Sequence, residues 1–183
     1  MFVIFFFFCG ILGLIWKEVF KVNNNDINVR IGEYILNCRA VAIIECNNKI
    51  LFQKREEDKY WALPGGKIEV GEKTSNTVLR ELQEELGLVK YTVDDMAMVV
   101  EHFFEFDGKM YHQYIFGHRV SVSYDEYIYD SEEFRGIEKD KNLVFKWLDK
   151  DMLNDLEVKP DFLGDTLRKV KKREIEFVSY KEK

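Results

Sequence analysis

Three glutamates, Glu81, Glu84 and Glu85, stand at i, i+3 and i+4, a spacing that puts their carboxylates on one face of a helix. Val78, Leu79, Leu82 and Leu86 form an apolar stripe beside them, so the carboxylates are expected at the edge of a core and not in open solvent. As pure structure this is costly. Like charges one turn apart repel, the last turns of a helix favour cations over anions, and partial burial penalises each charge. A hard divalent cation held by the oxygens reverses all three effects. Arg80 is placed to pair with Glu84 one turn on, or with Glu72 on the preceding loop.

Taken alone, an Arg-Glu-Leu-x-Glu-Glu string reads as a solvated helix face. The loop before it shifts the balance. Gly65 and Gly66 permit a close approach of backbone to a metal or phosphate, Lys67 offers a point charge to a phosphate, and Gly71-Glu72 makes a second bend.

Those elements need a scaffold. Arg39 to Glu45 and Ile50 to Lys54 read as strands joined by an Asn47-Asn48 turn. Trp61 to Gly66 is irregular. The spacing predicts a helix over Thr74 to Leu86, capped by Thr74 or Ser75 at its start and by Gly87 at its end. Val93 to Phe106 and Met110 to Val122 flank an Asp107-Gly108 hairpin turn. Tyr124 to Asp140 is an acidic connection, Leu143 to Leu148 a strand, and Asp161 to Arg173 a closing helix after Pro160. Hairpins mixed with separated helices predict a mixed α+β fold.

From Gly66, five residues lead to Glu72, seven more to Arg80-Glu81-Leu82, and after Gln83 come Glu84, Glu85, Leu86, Gly87 and Leu88. This run resembles the Nudix box, G-x5-E-x7-R-E-U-x-E-E-x-G-U, with U a bulky aliphatic residue, and every fixed position agrees. The resemblance implies an α/β/α sandwich with a mixed sheet between helices. It implies a divalent-metal-dependent hydrolase that cuts a phosphoanhydride bond in a nucleoside diphosphate linked to another moiety. It assigns metal binding to Glu81, Glu84, Glu85 and the Gly65 carbonyl, with Mg2+ or Mn2+ as the ion. Glu72 and Arg80 would support and orient the glutamates, and Lys67 beside Gly66 would meet a phosphate. One of the box glutamates could serve as general base, but a base from a later loop is common in such enzymes; there Glu138 is the preferred candidate, ahead of Glu132, Glu133, Glu101 and Glu105. Trp61, Phe103, Phe104, Tyr111 and Trp147 are candidates for gripping the non-phosphate part of the substrate, with Trp61 the first choice. His102, His112 and His118 show no metal-ligand spacing and read as structural or as supports behind the site residues. A second function on the same scaffold stays open, a nucleotide-sensing module that does not cleave, although an intact box favours catalysis.

Composition sets bounds on the partners. A formal net charge of -6 lacks the basic field that long nucleic acid requires, which leaves a small nucleotide-like substrate. The cysteines Cys9, Cys38 and Cys46 are odd in number and show no CxxC spacing, so neither a disulfide framework nor a zinc site is expected. Residues 1–25 are set apart as a hydrophobic segment, and 26–183 as the hydrolase domain. Phe2 to Trp16 carries no charge but falls short of the ~17 apolar residues of a short membrane span. The segment reads as a non-native extension, a membrane anchor or a buried arm. The corresponding localisation is cytoplasmic, or tethered to a membrane through residues 2–16, and a homodimer is a further arrangement open at this stage.

Overall fold

A strand with both faces buried organises the protein. In the computed structural model, which describes residues 25–171 and 173–182, β2 spans Tyr34–Ile43. Ala40 and Ala42 point into one apolar core, Val41 and Ile43 into another. The period-2 alternation of a strand makes this division, and apolar residues at both parities let each face bury.

The chain begins with β1 (Asn28–Ile31), antiparallel to β2 at one edge. It leaves β2 through the short β3 (Glu45–Cys46), turns at Asn47 and Asn48, and returns as β4 (Lys49–Arg55). Both asparagines have positive φ, 49° and 63°, as the tight hairpin turn read from their sequence requires. β5 (Gly65–Lys67) pairs antiparallel with β2, opposite Arg39 to Val41. Helix α1 follows over Thr74–Leu86, with the predicted bounds. β6 (Tyr91–Phe106) and β7 (Lys109–Val122) form a long antiparallel hairpin through Asp107-Gly108. The acidic connection holds a 3-10 turn at Tyr127–Tyr129 and the short strand β8 (Glu133–Arg135). β9 (Leu143–Asp149), a second 3-10 segment (Lys150–Asp155), helix α2 (Leu163–Lys169) and β10 (Glu176–Lys181) complete the order.

The strands divide between two sheets. One is mixed, in the order β1-β2-β7-β6-β10 with β5 on β2; the other is β3-β4-β9-β8, antiparallel throughout. Helix α1 covers one side, where Val78, Leu82 and Leu86 meet Ala40, Ala42, Leu51 and Phe145. Helix α2 covers the other, where Leu163 and Leu167 meet Val41, Ile43, Phe52 and Met98. The mixed sheet therefore lies between helices, as expected of the α/β/α class.

Some local expectations change. Leu79 lies outside the apolar stripe and is exposed, its carbonyl accepting from the Tyr91 hydroxyl. Lys73, not Thr74 or Ser75, occupies the cap position of α1, without a side-chain cap bond. Thr74 instead bonds the His118 ring at 2.8 Å. The closing helix is shorter than Asp161 to Arg173, and β10 follows it in parallel with β6. Cys38 and Cys46 are free thiols. Among the described residues no helix is long and apolar enough to cross a membrane. The hydrophobic run from Phe2 to Trp16 lies outside the described residues.

Candidate active site

Helix α1 seats its buried stripe against β2 and thereby fixes which carboxylates turn inward. Glu81 and Glu85 are almost fully buried, at 5% and 2% exposure, while Glu84 faces out. The Glu81 carboxylate lies directly over Gly66 of β5, in the space that a side chain there would fill.

Arg80 ties this helix to the preceding loop. Its Nε and Nη2 donate to the two Glu72 oxygens at 3.1 and 3.2 Å, Nη1 to Glu81 at 2.8 Å and to Glu84 at 3.4 Å, and Nη2 also to the Lys67 carbonyl at 3.2 Å. A planar guanidinium can make this many directed bonds at once, where an ammonium cannot. Both pairings anticipated for Arg80 occur. Glu72 also accepts from the Thr77 hydroxyl at 2.8 Å and the Glu69 N–H at 3.2 Å. Burial works against its charge, but Arg80, Thr77 and Glu69 together hold its carboxyl below the ordinary value.

The end of α1 draws a second loop into the site. Gly87 adopts the left-handed conformation, φ 64°, and its N–H closes on the Gln83 carbonyl at 2.9 Å. Two of the carbonyls that a helix leaves open at its end find partners from the acidic connection: Glu85 accepts from the Ile137 N–H at 2.8 Å and Leu86 from the Tyr127 hydroxyl at 3.0 Å. Fixing Ile137 there brings Glu138 and Lys141 alongside the glutamates. Lys141 Nζ stands 3.4 Å from Glu81 Oε2, 3.1 Å from Glu85 Oε1 and 3.0 Å from Glu138 Oε2. Burial pushes the Glu85 carboxyl up to about 7, with Lys141 opposing and Glu81 and Glu138 adding to the shift. Burial also works against the Lys141 ammonium, yet Glu138, Glu85 and Glu81 hold it above its ordinary value. Glu85 Oε2 is buried and has no hydrogen-bond partner among the described residues.

Sequence reasoning missed Lys141 and Arg39. Lys141 sits in a Lys-Asp-Lys run that looks like any solvated loop, and only the tertiary contact distinguishes it. Arg39 is a lone charge in an apolar strand, which is a readable signal. Its Nη2 donates to the Gly65 carbonyl at 3.1 Å, and burial lowers its guanidinium against the opposing pull of Glu81 and Glu85.

The other anticipated residues are placed as follows. Lys67 pairs with Asp26 at 3.3 Å on the rim beside Gly66. Trp61 packs against the α2-side core, with Lys54 Nζ 5.1 Å from its ring. Trp147 is buried, stacks on Tyr129 and donates to the Ile128 carbonyl at 2.8 Å, the contacts of a core residue. Phe103, Phe104 and Tyr111 stack within the β6-β7 hairpin. Glu132 and Glu133 pair with Lys49 and Lys146 on the surface, Glu105 is exposed, and Glu101 accepts from Tyr114, Ser179 and His112. Of the base candidates, Glu138 is the one joined to the buried glutamates. The three histidines are held in structural contacts, His102 with Glu182, His112 with Glu101 and His118 with Thr74.

The residues fit a hard cation on two observations: a buried carboxylate oxygen without a hydrogen-bond partner among the described residues, and a cationic group already drawn between two buried carboxylates. As they stand, no three His, Cys, Asp or Glu side chains among the described residues are grouped to hold a metal ion. Lys141 lies between Glu81 and Glu85, and Glu84 is turned to Arg80.

Comparison with known proteins bears on this arrangement. A family profile described as NUDIX domain matches residues 36–170. The chain is 48% identical over 50 residues to an ADP-ribose pyrophosphatase of Methanocaldococcus jannaschii, covering 26% of this chain and 30% of that protein. It is 48% identical over 54 residues to an 8-oxo-dGTP diphosphatase of Escherichia coli, covering 27% and 42%. The match thus spans less than half the length of either relative. A crystal structure of a UDP-X diphosphatase shares the fold at a TM-score of 0.55 and 19% identity, covering 91% of this chain and 74% of that one.

Proposed function

The chain belongs to the Nudix hydrolase family, and from that premise we propose that it hydrolyses a phosphoanhydride bond in a nucleoside diphosphate linked to another moiety. One observation carries the reading: two almost fully buried glutamates, Glu81 and Glu85, converge on a single positive group. A buried carboxyl group must be paired, bound to a metal or protonated to be stable, and the shared Lys141 contact favours the charged, cation-binding state.

In this reading Glu81, Glu84, Glu85 and the Gly65 carbonyl hold Mg2+, with Mn2+ as a substitute. When bound, the ion supplies charge neutralisation of the diphosphate and acidification of an attacking water. Arg80 fixes Glu81 through Nη1 and locks the helix to the loop through Glu72. Gly66 leaves the space that the Glu81 carboxylate occupies. Lys67, on the rim, exchanges Asp26 for a substrate phosphate. Glu138 takes the proton of the attacking water, since its carboxylate is brought into the site by the Ile137–Glu85 bond. Trp61 is the candidate contact for the non-phosphate half.

The substrate class follows the relatives only as a starting set: ADP-ribose, an oxidised nucleoside triphosphate and a UDP-linked compound, with dinucleoside polyphosphates and capped RNA ends added. The test is a turnover panel with Mg2+ and with excess chelator, following phosphate or monophosphate release. Turnover of at least one compound that stops in chelator is expected. Full turnover in chelator, or tight binding without turnover of any compound, overturns the reading, the second in favour of a sensing module.

A further inference from the structure

We propose that Lys141 is a resident counter-cation of the glutamate pair, which holds the metal-free site together and must be displaced before a divalent ion binds. The inference rests on the metal-binding reading of Glu81 and Glu85 and extends it to a residue outside the box.

Three distances carry it. Lys141 Nζ reaches Glu81, Glu85 and Glu138 at 3.4, 3.1 and 3.0 Å, so one ammonium is shared by three carboxylates. Glu81 and Glu85 lie one helical turn apart with both charges buried, and two such carboxylates repel strongly without a cation between them. An ion that binds this pair must contend with the ammonium already there, because two cations a few ångströms apart in a buried site repel. The lysine is not lost when it leaves. Its loop stays stitched to α1 by the Ile137 N–H on the Glu85 carbonyl, and Glu138, three residues earlier, remains a partner for the released ammonium. The displaced charge thus stays at the rim, where the diphosphate arrives. The arrangement gives the metal-free protein a stable site and shifts metal occupancy to higher metal concentrations than an empty carboxylate cage would need.

The experiment measures Mn2+ binding, by the resonance signal of free Mn2+, in the wild-type chain, in Lys141→Met, which keeps length without charge, and in Lys141→Arg, which keeps the charge. Lys141→Met is expected to bind Mn2+ about tenfold more tightly, the scale of removing one like charge a few ångströms from the ion. It should also unfold at a lower temperature in chelator and gain more from added Mn2+. Lys141→Arg should follow the wild type. A second measurement needs no variant. Acylation of Lys141 by a small reagent, read by mass spectrometry, should be slow in chelator and rise severalfold with Mg2+, while exposed Lys109 stays constant. If Lys141→Met does not fold without metal, this labelling decides the matter. Equal Mn2+ affinity in wild type and Lys141→Met, or unchanged labelling of Lys141, overturns the counter-cation alone. Absence of Mn2+ binding in both proteins overturns the metal-site reading and this one with it.

Discussion

The Glu81 carboxylate occupies the space that any side chain at Gly66 would need. The relation is steric, between a strand and a helix that pack on each other, and a flexible turn elsewhere cannot relieve it. Gly66→Ala is therefore expected to push Glu81 out of place and to lower kcat roughly 100-fold, the cost of about an ångström of misplacement at a reacting centre. Mn2+ affinity should fall in parallel. A variant with wild-type turnover would show that Glu81 need not stand where it does.

Glu85 makes a pH prediction with a definite sign. In the folded protein its carboxyl is pushed up from 4.5 to about 7, chiefly by burial. The folded state thus holds this proton more tightly than the unfolded chain. The resulting stability is fully present below 4.5 and is lost as pH rises through about 7. Thermal unfolding in chelator should show the wild type losing ground to Glu85→Gln across that interval, while turnover of the variant with Mg2+ falls to a small fraction. A wild type that gains on the variant with rising pH would reject the assignment.

Arg80 spans the helix and the loop through five bonds to four residues. Lysine keeps the charge but not the fork. Arg80→Lys should cost about 2 kcal/mol in urea unfolding, the range for lost charged hydrogen bonds. It should lower kcat more than it raises KM, because Glu81 loses its orientation. Stability within experimental error of wild type would show that the Glu72 pairing contributes little.

Glu138→Gln separates proton transfer from charge balance. If Glu138 takes the water's proton, kcat should drop by roughly 100-fold or more, with little change in KM. Near-normal turnover would leave Glu138 as a partner of Lys141 only.

The family match covers residues 36–170. A chain starting at Asn23 is therefore expected to keep its turnover and its thermal midpoint. A truncated protein that folds but does not turn over substrate would place part of the site in the first 22 residues.

The site was legible in sequence where local rules govern it. Helix α1 was bounded correctly because Gly87 stops it and the spacing of Val78, Leu82 and Leu86 sets its buried side. Both hairpin turns followed from Asn47-Asn48 and Asp107-Gly108, whose residues tolerate positive φ. What escaped depends on contacts between distant segments. Lys141 reaches Glu85 across 56 residues and is loop-like in its own neighbourhood. The end of β10 pairs with a strand nearly eighty residues earlier, and nothing in Glu176 to Lys181 names its partner. Thr74 looked like a helix cap until the His118 ring claimed its hydroxyl.

The two-sided burial of β2 also bears on how this protein can diverge. One inserted or deleted residue between Arg39 and Ile43 would exchange faces, setting Val41 or Ile43 under α1 where Ala40 and Ala42 now leave room, and shifting the strand against β5 and β7 together. Lineages descending from this chain can therefore alter β2 by substitution but not by changing its length. Gains and losses of residues should instead collect at open turns such as Asp107-Gly108, which makes that tip the place to graft a reporter peptide without disturbing the glutamates.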